Sequence, residues 1–297
     1  HIPVIRPGQT REAMVNNSRA GRGAQGGNPG YERSIQFVET RIIDGEEHHI
    51  YALTFDTLGN NSLRIDYKLK VGEEEVPKVT QAEFNVLAEL DEIVRTHSQF
   101  MVENTQDKDP SSPTYGIYRD WYLTTGMDTN NSHWGDDWSH DNANFMAIKN
   151  FVDPDPEEIR SLETYLIDFM WTNYMKNTQS NFRVANWLSN SGIFSTTSSP
   201  YVRTYSEQIV ATTFFNMYRV LKAYPNLMEY RESPRWYLEK AYGIYYNRIS
   251  SGTTGFYGEQ QIPDMIEALR EEGMMTEYQN LKQKFAYTKG RAMANAT

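Results

Sequence analysis

The 297-residue chain contains no cysteine. That rules out a disulfide scaffold and any thiolate zinc site, and it is compatible with secretion by a bacterium. Long apolar runs are lacking too: nothing approaches the roughly 20 residues that span a bilayer. Positive charge is in short supply, with 29 Lys and Arg against 39 Asp and Glu and a net charge of −10. A general nucleic-acid binder needs the reverse, to displace counterions from phosphates. The string GRGAQG, residues 21–26, fits GxGxxG but sits in a Gly-rich stretch without strand or helix periodicity beside it, and there is no Walker loop or GxSxG, so no nucleotide, cofactor or serine-hydrolase chemistry is expected. No HxH or HExxH spacing is present, and no metal site is read from the two neighbouring histidines, His133 and His140. An initial Met and a visible signal peptide are also missing. The chain is read as a processed or excised piece of a larger polypeptide, with room for an export signal upstream.

Aromatic residues are abundant. Twenty Tyr, 13 Phe and six Trp make up 13% of the chain. They concentrate in Tyr115–Asn150, YGIYRDWYLTTGMDTNNSHWGDDWSHDNANFMAIKN, where Trp121, Trp134 and Trp138 stand among Asp120, Asp136, Asp137 and Asp141 beside His133 and His140. Rings stack on the apolar faces of pyranoses, while carboxylates bond hydroxyls and move protons. The composition is that of a sugar-binding cleft. A plainer reading of the same stretch is an ordered loop whose Asp residues cap helices and whose rings lie on the core.

The flanking pattern is legible in order. Residues 1–30 are rich in Gly, Asn and Arg without apolar periodicity, and read as an extended arm. Three segments, SIQFVETRII, HHIYALTF and SLRIDYKLKV, alternate with period two and are separated by turn signals at Asp44-Gly45 and Gly59-Asn60-Asn61, giving antiparallel strands within 31–78. Thr80-Gln81-Ala82-Glu83 matches a capping box and predicts a linker helix over 79–106. Beyond it the pattern is helical, with starts at Asp155-Pro156, Ser199-Pro200, Ser233-Pro234 and Pro263, a stop at Gly273, and a second capping box at Thr276–Gln279. About eight helices are expected in all.

Adjacent carboxylates in an extended loop point to opposite sides, so one of Asp136 and Asp137 faces a substrate and its partner must come from elsewhere. Glu259 in GFYGEQQIP, flanked by Phe256 and Tyr257, is the chosen partner for acid/base chemistry. Its plainer role is charge at a helix start. Arg203, Tyr257, His133, His140 and the three tryptophans complete the substrate-binding set. Arg203 and Glu207 share a helix face and are expected to pair. A histidine with a tyrosine can instead abstract the proton α to a uronate carboxylate, which is lyase chemistry.

At WGDDWSHDNANFMAIKNF, and again at SPYVRTYSEQIVATTFFNMYRVLKAYP, the chain resembles the bacterial six-hairpin glycosidase-like families, among them secreted proteins with a β-sandwich ahead of an α/α toroid. The resemblance runs from about Tyr31 to the end and rests on element order and the Asp136–Asn150 segment. It implies a mainly α fold: a partial (α/α) toroid of helical hairpins over 107–297, preceded by a few antiparallel strands from the end of a β-sandwich. It implies a secreted or cell-surface carbohydrate-active protein, a glycoside hydrolase with a poly- or oligosaccharide partner, its acids in loops at one mouth of the barrel. A polysaccharide lyase and a non-catalytic glycan binder are the alternatives.

Overall fold

A computed structural model describes residues 4–5, 10–16, 35–54, 58–71, 73–119, 121–122, 127–128, 138–184, 187–188, 194–195, 204–249 and 259–295. The chain divides into two compact units, His1–Arg95 and Thr96–Thr297.

Strands build the first unit. β3 (Ile35–Ile43) and β4 (Glu46–Thr54) form a hairpin with a bulge between Phe37 and Glu39. Its turn is Asp44-Gly45, with φ of 54° and 82°, the left-handed pair that a two-residue hairpin turn requires. β2 (Thr10–Asn16) pairs antiparallel with the other side of β4. In a second sheet of order β1-β6-β5, β1 (Val4–Ile5) lies parallel to the end of β6 (Glu74–Val86), and β5 (Gly59–Val71) runs antiparallel along the whole of β6. Pro77 sits in β6 opposite Lys68, away from the two positions that β1 pairs. Ile50, Leu53, Leu63 and Val86 are buried.

Three expectations change here. Residues 10–16, assigned to the arm, are a strand; a short polar segment carries little periodicity, but the edge of β4 offers it seven paired positions from Thr10↔Thr54 to Asn16↔His48. Gly59–Asn61 opens β5 rather than turning the chain. Thr80–Val86 is extended rather than helical, with Thr80 opposite Ile65 and Phe84 opposite Asn61. A helix cap is worth about 1 kcal/mol, whereas β5 pairs with this segment at every position from Thr80↔Ile65 to Val86↔Gly59 and bonds the alternate backbone groups that face it. Val76, Ala82, Phe84 and Val86 satisfy period two as well. The helix, α1, runs from Leu90 to Phe100 and continues as a π-helical turn, Met101–Thr105.

The second unit is helical: α2 (Trp138–Val152), α3 (Pro156–Glu163) with a π-helical continuation Thr164–Tyr174, α4 (Thr204–Ala223), α5 (Pro234–Ile249), α6 (Ile262–Glu271) and α7 (Met275–Asn295). Seven α-helices thus stand among the described residues. Asp155 caps α3 by accepting from the N–H groups of Glu157 (2.8 Å) and Glu158 (3.1 Å), and Ser233 Oγ accepts from Trp236 N at the start of α5. Gly273, at φ 70°, ends α6, with its N–H on Arg270 O and that of Met274 on Leu269 O. Ser199-Pro200 lies outside the described residues, and α7 starts at Met275, which puts Thr276 inside its first turn.

From Glu207 to Tyr218 every residue of α4 is buried, so α4 is the central helix of the unit. Its neighbours fix their directions. Asn144 of α2 meets Asn216, and Phe151 lies under Arg219 and accepts from Tyr224 Oη, so α2 runs parallel to α4. Gln261 meets Asn216 while Glu272 meets Tyr218 and Lys222, so α6 runs parallel as well. Tyr230 Oη closes the α4–α5 connection onto Tyr224 O, and α5 returns antiparallel. α2 and α4 therefore begin at the same end of the unit, whereas α6 begins level with Asn216, in the second half of α4.

Gly116 is a tight point in this packing. Its φ is 90°, and a Cβ there would lie 3.0 Å from Thr164 O and 3.3 Å from Phe169 Cβ. Gly116→Ala is expected to cost about 1–3 kcal/mol, read as a lowered urea midpoint at unchanged slope.

Candidate functional site

Of the residues singled out in the sequence, His133, Trp134, Asp136, Asp137, Arg203 and Tyr257 lie outside the described residues. Three others have a backbone position. Trp121 is in a two-residue strand, β7 (Trp121–Tyr122), paired antiparallel with β8 (Met127–Asp128); Trp138 opens α2; Glu259 opens the 3₁₀ turn Glu259–Gln261 that leads into α6.

His140 is fully described, and it is buried. Its Nδ1 lies 2.6 Å from Tyr165 Oη, and its ring meets Tyr165 and Tyr174 edge-on. Tyr165 belongs to the π-helical segment, so the pair ties the first turn of α2 to the element behind it. The ring has no accessible surface in this arrangement. Burial holds the Tyr165 hydroxyl well above its ordinary pKa, and it remains a neutral phenol.

The other end of the Asp136–Asn150 segment is structural. Lys149 Nζ lies 3.0 Å from Glu158 Oε2, with both side chains almost fully buried. Asn150 donates to the same oxygen (2.8 Å) and to Met146 O, and accepts from Asp155 N. Ser98 Oγ donates to Glu158 Oε1 at 2.7 Å. Glu207, expected to pair with Arg203, which lies outside the described residues, accepts from Arg183 Nε at 2.7 Å and sits buried in the first turn of α4. No local spacing announces a pair 24 residues apart.

A seam of amides runs between α2, α4 and the start of α6. Asn216 Oδ1 accepts from Arg219 Nη1 (3.0 Å) and Gln261 Nε2 (3.3 Å), and its Nδ2 faces Asn144 Oδ1 at 3.4 Å. Gln208 and Thr212 precede Asn216 at successive four-residue steps, both buried. This i, i+4, i+8 row of polar residues on an otherwise apolar helix is a sequence signal that the aromatic and acidic segments overshadowed. Much of the aromatic content is core: Tyr118, Tyr165, Tyr174, Tyr237, Tyr245, Phe169, Phe214 and Phe215 are fully buried. Trp171 and Trp236 flank the Lys240 ammonium at 4.5 and 4.8 Å, and burial there lowers the lysine's pKa against the pull of Glu239.

Glu163 is a buried carboxyl with an unequal pair of oxygens. Oε1 accepts from Arg231 N (2.8 Å) and Tyr237 Oη (3.1 Å), while Oε2 has no hydrogen-bond partner. Burial raises its pKa, opposed by the Arg231 N–H, the Tyr237 hydroxyl and the Arg231 and Arg160 charges. A raised folded-state pKa contributes stability below the unfolded value, near 4.3, and loses it as pH rises through the folded value. Glu163→Gln keeps the acceptor and removes the charge. It is expected to gain on the order of 1 kcal/mol at pH 7, and the gain should vanish near pH 4 in urea titrations at both pH values.

Residues 176–294 match a family described as a family of unknown function, DUF5695. No curated protein matches the sequence. Among solved structures the chain is similar to Polysaccharide Lyase BACCELL_00875, with a TM-score of 0.68 and 15% identity over 99% of this chain and 40% of that one. The chain spans two fifths of that protein's length, and at this identity the likeness is one of fold. No helix among the described residues is long and apolar enough to cross a membrane.

Proposed function

We propose that this chain is part of a secreted or cell-surface bacterial protein that acts on a poly- or oligosaccharide. The observation that carries the reading is the likeness of fold, over 99% of the chain, to a polysaccharide lyase. A second feature supports it. α2 and α4 begin at one end of the helical unit, and the stretches just before them in sequence hold Trp134, Asp136 and Asp137, then Arg203, while Tyr257 and Glu259 come at the approach to α6. On this reading the helical unit, 107–297, belongs to an incomplete α/α toroid of the six-hairpin kind, and the strand unit is the end of a β-sandwich. The remainder of the parent polypeptide completes both.

In the hydrolytic form of the reading, Asp136 or Asp137 works with Glu259 as acid and base or nucleophile. A separation of roughly 5–5.5 Å between the carboxyls gives retention and roughly 6.5–9.5 Å gives inversion. Trp121, Trp134, Trp138 and Tyr257 hold sugar rings, His133 and Arg203 bond hydroxyls or a carboxylate, and His140 stiffens the start of α2. The name of the structural neighbour favours a second form, a lyase in which His133 and a tyrosine move the proton α to a uronate carboxylate.

The test is a panel of neutral and uronate polysaccharides incubated with the chain and with its full parent polypeptide, each sample read for reducing ends, for ultraviolet absorbance and for binding. Reducing ends alone establish hydrolysis; absorbance from an unsaturated uronate establishes the lyase. Binding without either product makes the protein a glycan binder, and silence in all three readouts overturns the reading.

A further inference from the structure

β5 forms one edge of the sheet β1-β6-β5, and among the described residues no strand lies on its outer side. It is the longest edge of the strand unit, 13 residues against nine for β3 and seven for β2. β3 is broken by its bulge between Phe37 and Glu39, whereas β5 follows β6 without a shift of register from Gly59↔Val86 to Val71↔Glu74. A long edge without a bulge presents its outward N–H and C=O groups in one continuous row, which is a template for another strand.

The charges on that edge select the strand it fits. Asn60, Ser62, Arg64, Asp66 and Lys68 share one face of β5 by period two. Arg64 and Asp66 pair with each other at 2.8 Å and remain 65% and 53% exposed, while Lys68 is tied to Glu75 of β6 at 2.8 Å. Consider two copies of β5 laid antiparallel about a two-fold axis through Ile65, the middle residue of the strand. Arg64 of each copy then falls opposite Asp66 of the other, and Lys68 opposite Ser62. The four charges close a square that alternates in sign both along and across the strands. Moving the axis to Arg64 or to Asp66 sets like charges directly opposite each other, which is unfavourable.

We propose that the outer edge of β5 is an interface for a second copy of this chain: residues 60–70 of the two copies pair antiparallel about a two-fold axis at Ile65, and two three-stranded sheets become one of six strands. Backbone bonds along the edge supply the attraction, and the Arg64–Asp66 square fixes the register. The interface lies wholly in the strand unit. It leaves the outer edges of β2 and β3 for the further strands of a completed sandwich.

Sedimentation velocity of the chain over a range of concentrations tests the interface. The wild type is expected to dimerise reversibly. Arg64→Asp sets carboxylates opposite each other and should raise the dimer Kd about tenfold or more, while Arg64→Asp with Asp66→Arg should restore it, the circular dichroism being unchanged in both. Because the chain has no cysteine, engineered thiols report the register directly. In the double variant Ser62→Cys with Lys68→Cys each thiol faces its partner across the axis, although the two lie about 20 Å apart within one chain. Oxidation should link this variant into covalent dimers and leave Ser62→Cys and Lys68→Cys singly unlinked; should Arg64→Asp fail to fold, the thiols carry the test. A wild type that stays monomeric at every concentration overturns the proposal. So does a dimer that ignores the charge reversal and links the single-cysteine variants as readily as the double, since its interface lies elsewhere. A dimer formed by the chain and lost in the full parent polypeptide means that a strand of the parent itself takes the edge, and that too overturns self-pairing.

Discussion

Replacing Glu158 by Ala is expected to destabilise the helical unit by about 3–5 kcal/mol. Glu158 is 2% exposed and gathers three partners, Lys149 Nζ at 3.0 Å, Ser98 Oγ at 2.7 Å and Asn150 Nδ2 at 2.8 Å. These arrive from α1, from α2 and, through the bond of Asn150 to Asp155 N, from the cap of α3. Truncation leaves the Lys149 ammonium buried with Asp153, 3.6 Å away and itself partly exposed, as its remaining counter-ion. The cost is therefore mainly that of an uncompensated charge, not of a lost attraction. The double replacement Lys149→Met with Glu158→Leu separates the two, because removing both charges together should bring stability back to within about 1–2 kcal/mol of wild type. Urea unfolding followed by circular dichroism measures all three proteins. A single-variant cost well under 1 kcal/mol would mean that water reaches the pair.

Signals confined to a few residues were legible in the sequence. Asp155-Pro156, Ser233-Pro234 and Gly273 each mark a helix end because the cap and the groups it satisfies are neighbours in the chain. Asp44-Gly45 marks its hairpin for the same reason. Signals that depend on a distant partner were not. Thr80–Glu83 has the local form of a helix start, yet β5 captures it as a strand. Arg183 and Glu207 meet only once α4 is placed, and Lys149 finds Glu158 across a turn between helices. His140 carries the same letter as His133, but the tyrosine that claims it, Tyr165, is 25 residues away. The buried polar row Gln208, Thr212 and Asn216 is what spacing along α4 announced and composition hid. The strongly coloured residues, the carboxylates and tryptophans, drew attention to the stretches before the helices instead.

With a polysaccharide that the wild type hydrolyses, Asp137→Asn should lower kcat by about 10²–10⁴-fold, the range for losing a positioned general acid or base. KM should change little, since the amide keeps the shape and one acceptor oxygen of the carboxylate. Asp137 stands immediately before Trp138, the first residue of α2. At such a position Asn caps a helix as well as Asp does, so a fall in activity cannot be ascribed to fraying of the helix. Asp136→Asn is the internal control: neighbouring side chains in extended chain point to opposite sides, and only one of the two variants should lose turnover while the other stays within a few-fold of wild type. Glu259→Gln should match the more damaged of the pair if the two carboxyls divide the acid and base roles, and its activity should not fall much further in the double variant, because residues acting as one unit are not additive. If His133→Ala abolishes product while both Asp→Asn variants remain active, the proton is moved by the imidazole. The chemistry then is elimination, and the carboxylates serve only to cap and to bind.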